Sequence, residues 1–315
     1  MNHERKIRVG VVGVGHVGQH HARIYRELPG VELAGLADID PAKLQAVQGS
    51  LKVSAVQDYR ELFGRVDGMS VAVPTHLHAQ VARDCLARGI DVLVEKPLAE
   101  TLEEAEELTE LARRLGRILQ VGHVERFNGA VRALHRIVST PGFIECHRLS
   151  PFPQRGTDVD VILDLMIHDI DIILSVVKSP VSQVSAVGVP VLTDRVDIAN
   201  ARLEFESGCV ANVTASRVST ERVRKIRIFQ PDAYISLDYA SQEIVLYRRL
   251  PPDLQSAPPR LPRIVREQVA VEKEEPLRLQ ITSFLTCVRE QARPEVSGEE
   301  AVEALRVASQ ILAKM

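Results

Sequence analysis

The sequence predicts an α/β protein, a doubly wound parallel sheet followed by an α+β domain. Three observations carry that prediction. Strand and helix signals alternate at short intervals up to about residue 122, a glycine-rich turn separates the first strand from the first helix, and from about residue 181 the signals become consecutive strands. Repeated strand–helix units imply a parallel sheet covered on both faces, whereas strands grouped apart from helices imply α+β.

The first strand is the apolar, β-branched run 7–12; helical spacing follows over 15–28 and stops at Pro29-Gly30. A second strand at 31–37 leads to Asp40-Pro41, a helix start. Buried strands at 69–73 and 90–94 are ended by Pro74 and Pro97, with a helix at 76–88 between them. An acidic amphipathic helix at 102–115 and a strand at 118–121 complete this pattern. The rhythm then changes to a helix at 127–138, a strand at 143–149 and a long apolar helix at 161–177. Strands follow at 181–189, 198–205, 209–216, 225–229, 233–239 and 243–247, with Ser207-Gly208 a loose hairpin turn. Five prolines in 251–262 mark an extended arm, and amphipathic helices near 276–291 and 298–314 close the chain. The boundary is placed near Gly122, giving domains 1–122 and 123–315.

Bulk properties exclude several functions. A formal charge of −3 creates no field that gathers nucleic acid or anionic lipid, and the absence of Trp removes stacking platforms for single strands. The four cysteines lie far apart without a C-x-x-C pair, which fits reduced thiols and neither a disulfide framework nor a zinc site. No apolar stretch reaches the ~20 residues of a membrane span, and the chain runs into its first strand without an apolar leader. The expected location is the cytoplasm.

Gly13-Val14-Gly15-His16-Val17-Gly18 is G-x-G-x-x-G between a buried strand and a helix. Gly13 permits the tight turn, Gly15 lets backbone approach a pyrophosphate, and Gly18 lets helix and strand pack closely. The helix N-terminus offers free N–H groups to the phosphates, beside His16 and Val17. His16 either touches a phosphate or faces solvent. Asp38, about 20 residues after Gly18, suits the ribose hydroxyls. Asp40 adds negative charge and Ile39 no cation, so NAD is expected over NADP. The plainer alternative is an ordinary βαβ turn with a surface Asp.

Glu95-Lys96-Pro97 stands at the carboxyl end of a strand, the edge where open α/β sheets bind ligands. Pro97 keeps Lys96 out of the helical region. Near a nicotinamide, an ammonium can stabilise charge on a reacting oxygen; otherwise Lys96 is a solvated turn residue. In the apolar run after Asp158, Asp164, His168 and Asp171 fall at i, i+4 and i+7, while Asp169 points elsewhere. A polar stripe on a buried helix must be partnered. Three readings stay open: His168 as general acid/base with Asp164 binding substrate and Lys96 completing the set; a metal face; or a satisfied internal network.

These motifs, in this order and spacing, resemble the glucose-fructose oxidoreductase/inositol dehydrogenase (Gfo/Idh/MocA) family across essentially the whole chain. Val73-Pro74-Thr75-His76-Leu77-His78 looks like that family's loop beside the nicotinamide. The resemblance implies a Rossmann domain followed by an α+β domain with an open-faced, mainly antiparallel sheet that mediates homodimer or homotetramer contacts. It implies NAD held by Gly13, Gly15, His16, Val17, Gly18, Asp38, Pro74, Thr75, His78, Glu95 and Lys96. It further implies that Lys96 and Asp164 position a sugar hydroxyl while His168 takes its proton.

The segments 121–128, 163–171, 215–217 and 228–230 resemble more narrowly the UDP-N-acetylglucosamine 3-dehydrogenase branch, whose product passes to a sugar aminotransferase for 2,3-diamino-sugar lipid A. Gly129 stands where that branch commonly has Pro, and the proline-rich arm has no counterpart. A UDP group needs cations, for which Arg126, Arg155 and Arg217 are candidates, with Asn128 beside them; each arginine could equally be a surface residue. Competing readings are a dehydrogenase of a free sugar, inositol or other polyol, an NAD-dependent glycosidase, and a non-catalytic NAD-binding regulator.

Overall fold

The computed structural model describes residues 5–152, 159–251 and 263–315. The chain divides into two compact units, the first comprising residues up to 124 together with 275–303, the second 125–274 and 304–315.

The first unit carries a six-stranded parallel sheet in the order β3-β2-β1-β4-β5-β6. Its strands are β1 (Ile7–Val12), β2 (Val31–Ala37), β3 (Ala55–Val56), β4 (Gly68–Val71), β5 (Asp91–Glu95) and β6 (Leu119–Gly122). Its helices are α1 (His16–Glu27), α2 (Pro41–Leu51), α3 (His78–Ala87), α4 (Leu102–Leu115) and α7 (Pro276–Glu290). Near-continuous apolar burial along β1, β4 and β5 is what a sheet covered on both faces requires. Local chemistry sets the helix ends. Asp40 caps α2 by accepting from Ala42 and Lys43 N–H, while Thr101 and Glu104 form a reciprocal capping box on α4. The order reverses direction between β1 and β4, and there the carboxyl ends open a crevice.

The helix at 276–291 was expected in the second domain, and the structure corrects this. Ile281, Phe284 and Leu285 of α7 join Ala22, Ile24, Tyr25 and Leu36 in the core of the first unit. Helix α8 (Gly298–Leu312) begins in that unit and ends in the second, where Ala304, Val307, Ala308 and Ile311 enter the core.

The second unit carries an eight-stranded sheet in the order β14-β13-β12-β11-β7-β10-β9-β8. The strands are β7 (Phe143–Leu149), β8 (Val181–Val189), β9 (Ile198–Phe205), β10 (Val210–Ser216), β11 (Val223–Gln230), β12 (Ala233–Asp238), β13 (Glu243–Leu250) and β14 (Arg263–Gln268). All neighbours pair antiparallel except β7 and β10, which run parallel. Strict alternation of burial along β7 and β9 gives one core face and one outward face. Helices α5 (Gly129–Ile137) and α6 (Ile167–Val177) contribute Val131, Leu134, Ile170 and Ile173 to the core with Ile144, Ala201, Val213 and Ile226. On the outward side Phe143, Phe229, Tyr234 and Tyr247 form a ring row with centroids 5.8, 4.9 and 5.5 Å apart.

The expected helix at 161–177 is two elements. Residues Ile162–Met166 form a π turn and α6 begins only at Ile167. Strand β14 was not expected, and the arm at 252–262 lies outside the described residues. Among those described, no helix is long and apolar enough to cross a membrane.

Candidate active site

The glycine loop of the first unit is shaped by close approach. At Gly13, where φ is +86°, a Cβ would lie 2.5 Å from the carbonyl oxygen of Ala72, and at Gly18 one would lie 1.8 Å from that of Gly13. Nothing stands within 4 Å of a Cβ at Gly15, the N-cap of α1, so the loop leaves open space in front of the helix N-terminus. That combination fits a pyrophosphate taken up by backbone N–H groups. Asp38 ends this cradle. One of its oxygens accepts from Val14 N at 2.9 Å and the other from Asp40 N at 3.0 Å.

A cleft of about 660 Å³ runs along this loop, lined by Gly13, Gly15, His16, Val17, Asp38 and Pro74 among others. Lys43, Tyr59 and Arg60 also line it, and the sequence reading had missed them. Their signal is weak because β3 and the turn bearing Tyr59 and Arg60 are too short to read. Both cations are already matched, Lys43 with Asp40 at 3.9 Å and Arg60 with Asp84 at 3.2 Å. Both pairs are largely solvent-exposed and therefore weak.

His78 and Glu95 do not line that cleft; they hold the loops beside it. His78 is buried, with Nδ1 2.8 Å from the carbonyl of Pro97 and Nε2 2.9 Å from that of Val73. Burial pushes its pKa down, against the pull of those two carbonyls. It thereby ties the turn after β5 to the loop Val73-Pro74-Thr75 after β4. Lys96, half-buried, precedes a cis peptide bond to Pro97.

A hydrogen-bonded chain ends at Glu95, the residue before Lys96. Tyr25 Oη meets Ser70 Oγ at 2.7 Å, Ser70 Oγ meets His21 Nδ1 at 3.0 Å, and His21 Nε2 meets Glu95 Oε1 at 3.1 Å. Tyr25, Ser70 and His21 are fully buried. Burial alone would raise the Glu95 pKa, but His21, Lys96 and His78 together hold it below the usual carboxylate value. Glu95 pairs across the sheet with Gly122, where a Cβ would come within 2.6 Å of its Oε1. The glycine is the space the carboxylate occupies.

In the second unit Asp164 falls inside the π turn and His168 in the first turn of α6, both half-buried. A π turn inserts an extra residue into the helical register, an irregularity that recurs at functional sites. The other acids of the segment are consumed internally. Arg148 grips Asp169 at 2.8 and 2.9 Å, and Arg126 Nη1 donates to Asp171 at 3.2 Å. Of the three residues expected on one face, Asp164 and His168 stand on the π turn and the first turn of α6, and Asp171 accepts from Arg126. Among the described residues no three His, Cys, Asp or Glu side chains are grouped for a metal ion.

Three residues expected at the substrate have internal partners. Arg126 is buried against Asp171. Asn128 caps α5 by accepting from Ala130 N at 3.0 Å, while its Nδ2 donates to the carbonyl of Tyr239. Arg217, 1% exposed, donates to Asp197 at 2.7 Å, to Thr193 Oγ1 and to the carbonyl of Val159. The Arg217 guanidinium, buried and hydrogen-bonded to several acceptors, braces the segment around Asp197. Arg155 lies outside the described residues.

A model of the GFO/IDH/MocA oxidoreductase family, described by its NAD-binding Rossmann fold, matches residues 7–123, and a model of the GFO/IDH/MocA C-terminal domain matches 128–235. The chain is 35% identical over 283 residues to a UDP-N-acetylglucosamine 3-dehydrogenase of Acidithiobacillus ferrooxidans, spanning 90% of this chain and 88% of that one. A crystal form of the enzyme of that name from the same organism superposes with a TM-score of 0.91 at 32% identity, over 98% of each chain. An inositol 2-dehydrogenase of Arthrobacter sp. is 32% identical over 178 residues, 53% of each chain. With both halves matched by the family's own domain models, the chain belongs to the GFO/IDH/MocA family of NAD-binding oxidoreductases.

Proposed function

We propose that this oxidoreductase oxidises a secondary hydroxyl of a sugar, and that the substrate is UDP-N-acetylglucosamine, converted to its 3-oxo form. The observation that carries the reading is the placement of Asp164 and His168 at an irregularity in the helical segment. Asp164 and His168 remain half-buried on a π turn and the helix that follows it, while their acidic neighbours are clamped by arginines. Similarity to a UDP-N-acetylglucosamine 3-dehydrogenase along nine-tenths of the chain supports the choice of sugar.

In this reading the glycine loop and α1 receive the pyrophosphate, Asp38 the ribose hydroxyls, and the loop Val73-Pro74-Thr75 flanks the nicotinamide. Bound NAD supplies the hydride acceptor, C4 of its nicotinamide. His168 would take the hydroxyl proton, and bound NAD would accept the hydride released as the carbonyl forms. Asp164 accepts a hydrogen bond that orients the substrate. The Lys96 ammonium stabilises negative charge growing on the substrate oxygen.

Oxidation of a free polyol is the second reading, favoured by the inositol 2-dehydrogenase relative. Steady-state NAD reduction across UDP-sugars and free polyols separates the two; turnover of inositol with no UDP-sugar accepted would refute the first. We further propose a cytoplasmic enzyme that forms a homodimer or homotetramer through the outward face of its large sheet, where Phe143, Phe229, Tyr234 and Tyr247 line up. A 3-oxo sugar nucleotide presents the ketone that a sugar aminotransferase consumes, which is the partner activity we expect.

A further inference from the structure

We propose that Arg224 is the residue of the second unit that receives the diphosphate of the substrate. This inference rests on the nucleotide-sugar reading above and identifies a cation which that reading lacked.

The case begins with charge matching. Arg126, Arg148, Arg217, Arg227 and Arg248 of the same unit each have a carboxylate within 3.4 Å. Arg224 is half-buried, and among the described residues its guanidinium has neither a hydrogen bond nor a carboxylate in ion-pair contact. A cation withdrawn from water without a counter-ion is costly. Such a group persists where a ligand supplies the missing charge, and the planar fork of arginine suits phosphate oxygens.

Register places it. Arg224 stands directly opposite Arg148, in the row where Ile226 faces Cys146 and Ile228 faces Ile144. Those apolar partners are buried in the core, so Arg224 continues the core-facing row of β11 beyond its apolar part. Arg148 on that face holds Asp169, the residue after His168. Arg224 is therefore one strand away from the arginine that anchors the candidate acid/base segment, and on the same side of the sheet.

Its surroundings are electropositive. Burial, and then the charge of Arg148, lower its pKa from the ordinary arginine value by more than Glu125 and Asp169 raise it. Arg222 adds a further positive charge. Both of those acids already bind Arg148. An anion arriving at Arg224 thus meets a net positive site.

The test uses the NAD-loaded protein titrated with UDP by calorimetry. Arg224→Met is expected to weaken UDP binding roughly 10- to 100-fold, the effect of losing charge-assisted hydrogen bonds. Arg224→Lys should lose less than Arg224→Met, and Arg227→Met, whose arginine is paired with Glu145, should bind UDP as the wild type does. The melting temperature of Arg224→Met should not fall, because no acid is left unpaired. Wild-type UDP affinity in Arg224→Met overturns the proposal, and so does a melting temperature well below wild type, which would make Arg224 a packing residue. A wild-type protein that binds UDP but oxidises no UDP-sugar defeats the substrate reading and leaves this site standing. Oxidation of UDP-N-acetylglucosamine that is unaltered by Arg224→Met defeats this proposal alone.

Discussion

Arg148 and Asp169 form a two-point ion pair, Nε and Nη2 to the two carboxylate oxygens at 2.8 and 2.9 Å, with both side chains almost fully buried. The pair joins the central strand β7 to the first turn of α6, one residue past His168. Glu125 shares the same guanidinium at 3.2 Å. The residue proposed to take the proton thus stands next in sequence to a bond between sheet and helix.

Breaking that pair from one side should be costly. Asp169→Asn leaves Arg148 buried with Glu125 alone, and truncation of a buried pair typically costs about 3–5 kcal/mol. Denaturant unfolding of the variant should show a loss of that order. A change under about 0.5 kcal/mol, the level of an ordinary surface substitution, would mean that the bond contributes nothing to holding α6.

Asp197 should make stability depend on acid. Its carboxylate accepts from Val191, Leu192 and Thr193 N–H and from Arg217. Burial raises its pKa, but these donors outweigh burial and hold it far below the usual range. A depressed folded-state pKa contributes stability that is present above the unfolded value of about 3.9 and is lost as pH falls toward the folded one. Melting temperature measured from neutrality to about pH 2 should fall more steeply for wild type than for Asp197→Asn below about pH 4. Parallel curves would contradict the assignment.

The reach of the sequence follows from the range of each interaction. Gly13–Gly18, Asp38 and Glu95-Lys96 are legible because their signals are local: a turn that admits only glycine, a strand end, a proline. The partners of Arg126 and Arg217 are not, since Asp171 lies 45 positions away and Asp197 lies 20. The π turn escaped because apolar periodicity does not separate a 3.6-residue helix from one with an inserted residue. Helix α7 reads correctly as a helix, yet its assignment to the first unit depends on a core formed by residues 250 positions earlier.

Removing the candidate acid/base should act on chemistry. His168→Ala is expected to lower kcat about 10²- to 10⁴-fold, and Lys96→Met should lower kcat strongly while NAD binding persists. Titration with NAD beside steady-state kinetics distinguishes the two effects. Near-full activity of His168→Ala would remove it from the mechanism.

Asp38 has two tasks. Its oxygens fix Val14 and Asp40 N–H, and its negative charge disfavours a 2′-phosphate. Asp38→Ser should weaken NAD more than NADP, read as the ratio of their dissociation constants. An unchanged ratio would place the ribose contact elsewhere.

The hydrogen-bonded chain ending at Glu95 yields the last expectation. A methyl group at Gly122 has no room, because Glu95 Oε1 would lie 2.6 Å and its carboxyl carbon 2.8 Å away. Gly122→Ala should push the carboxylate from His21, break the 3.1 Å bond and lower stability by about 1–3 kcal/mol, the usual cost of overpacking. The shorter side chain of Glu95→Asp makes space, so in the double variant the two losses should be smaller than their sum. Losses that simply add would show that Gly122 and Glu95 act independently, and that the glycine is not what seats the carboxylate beside Lys96.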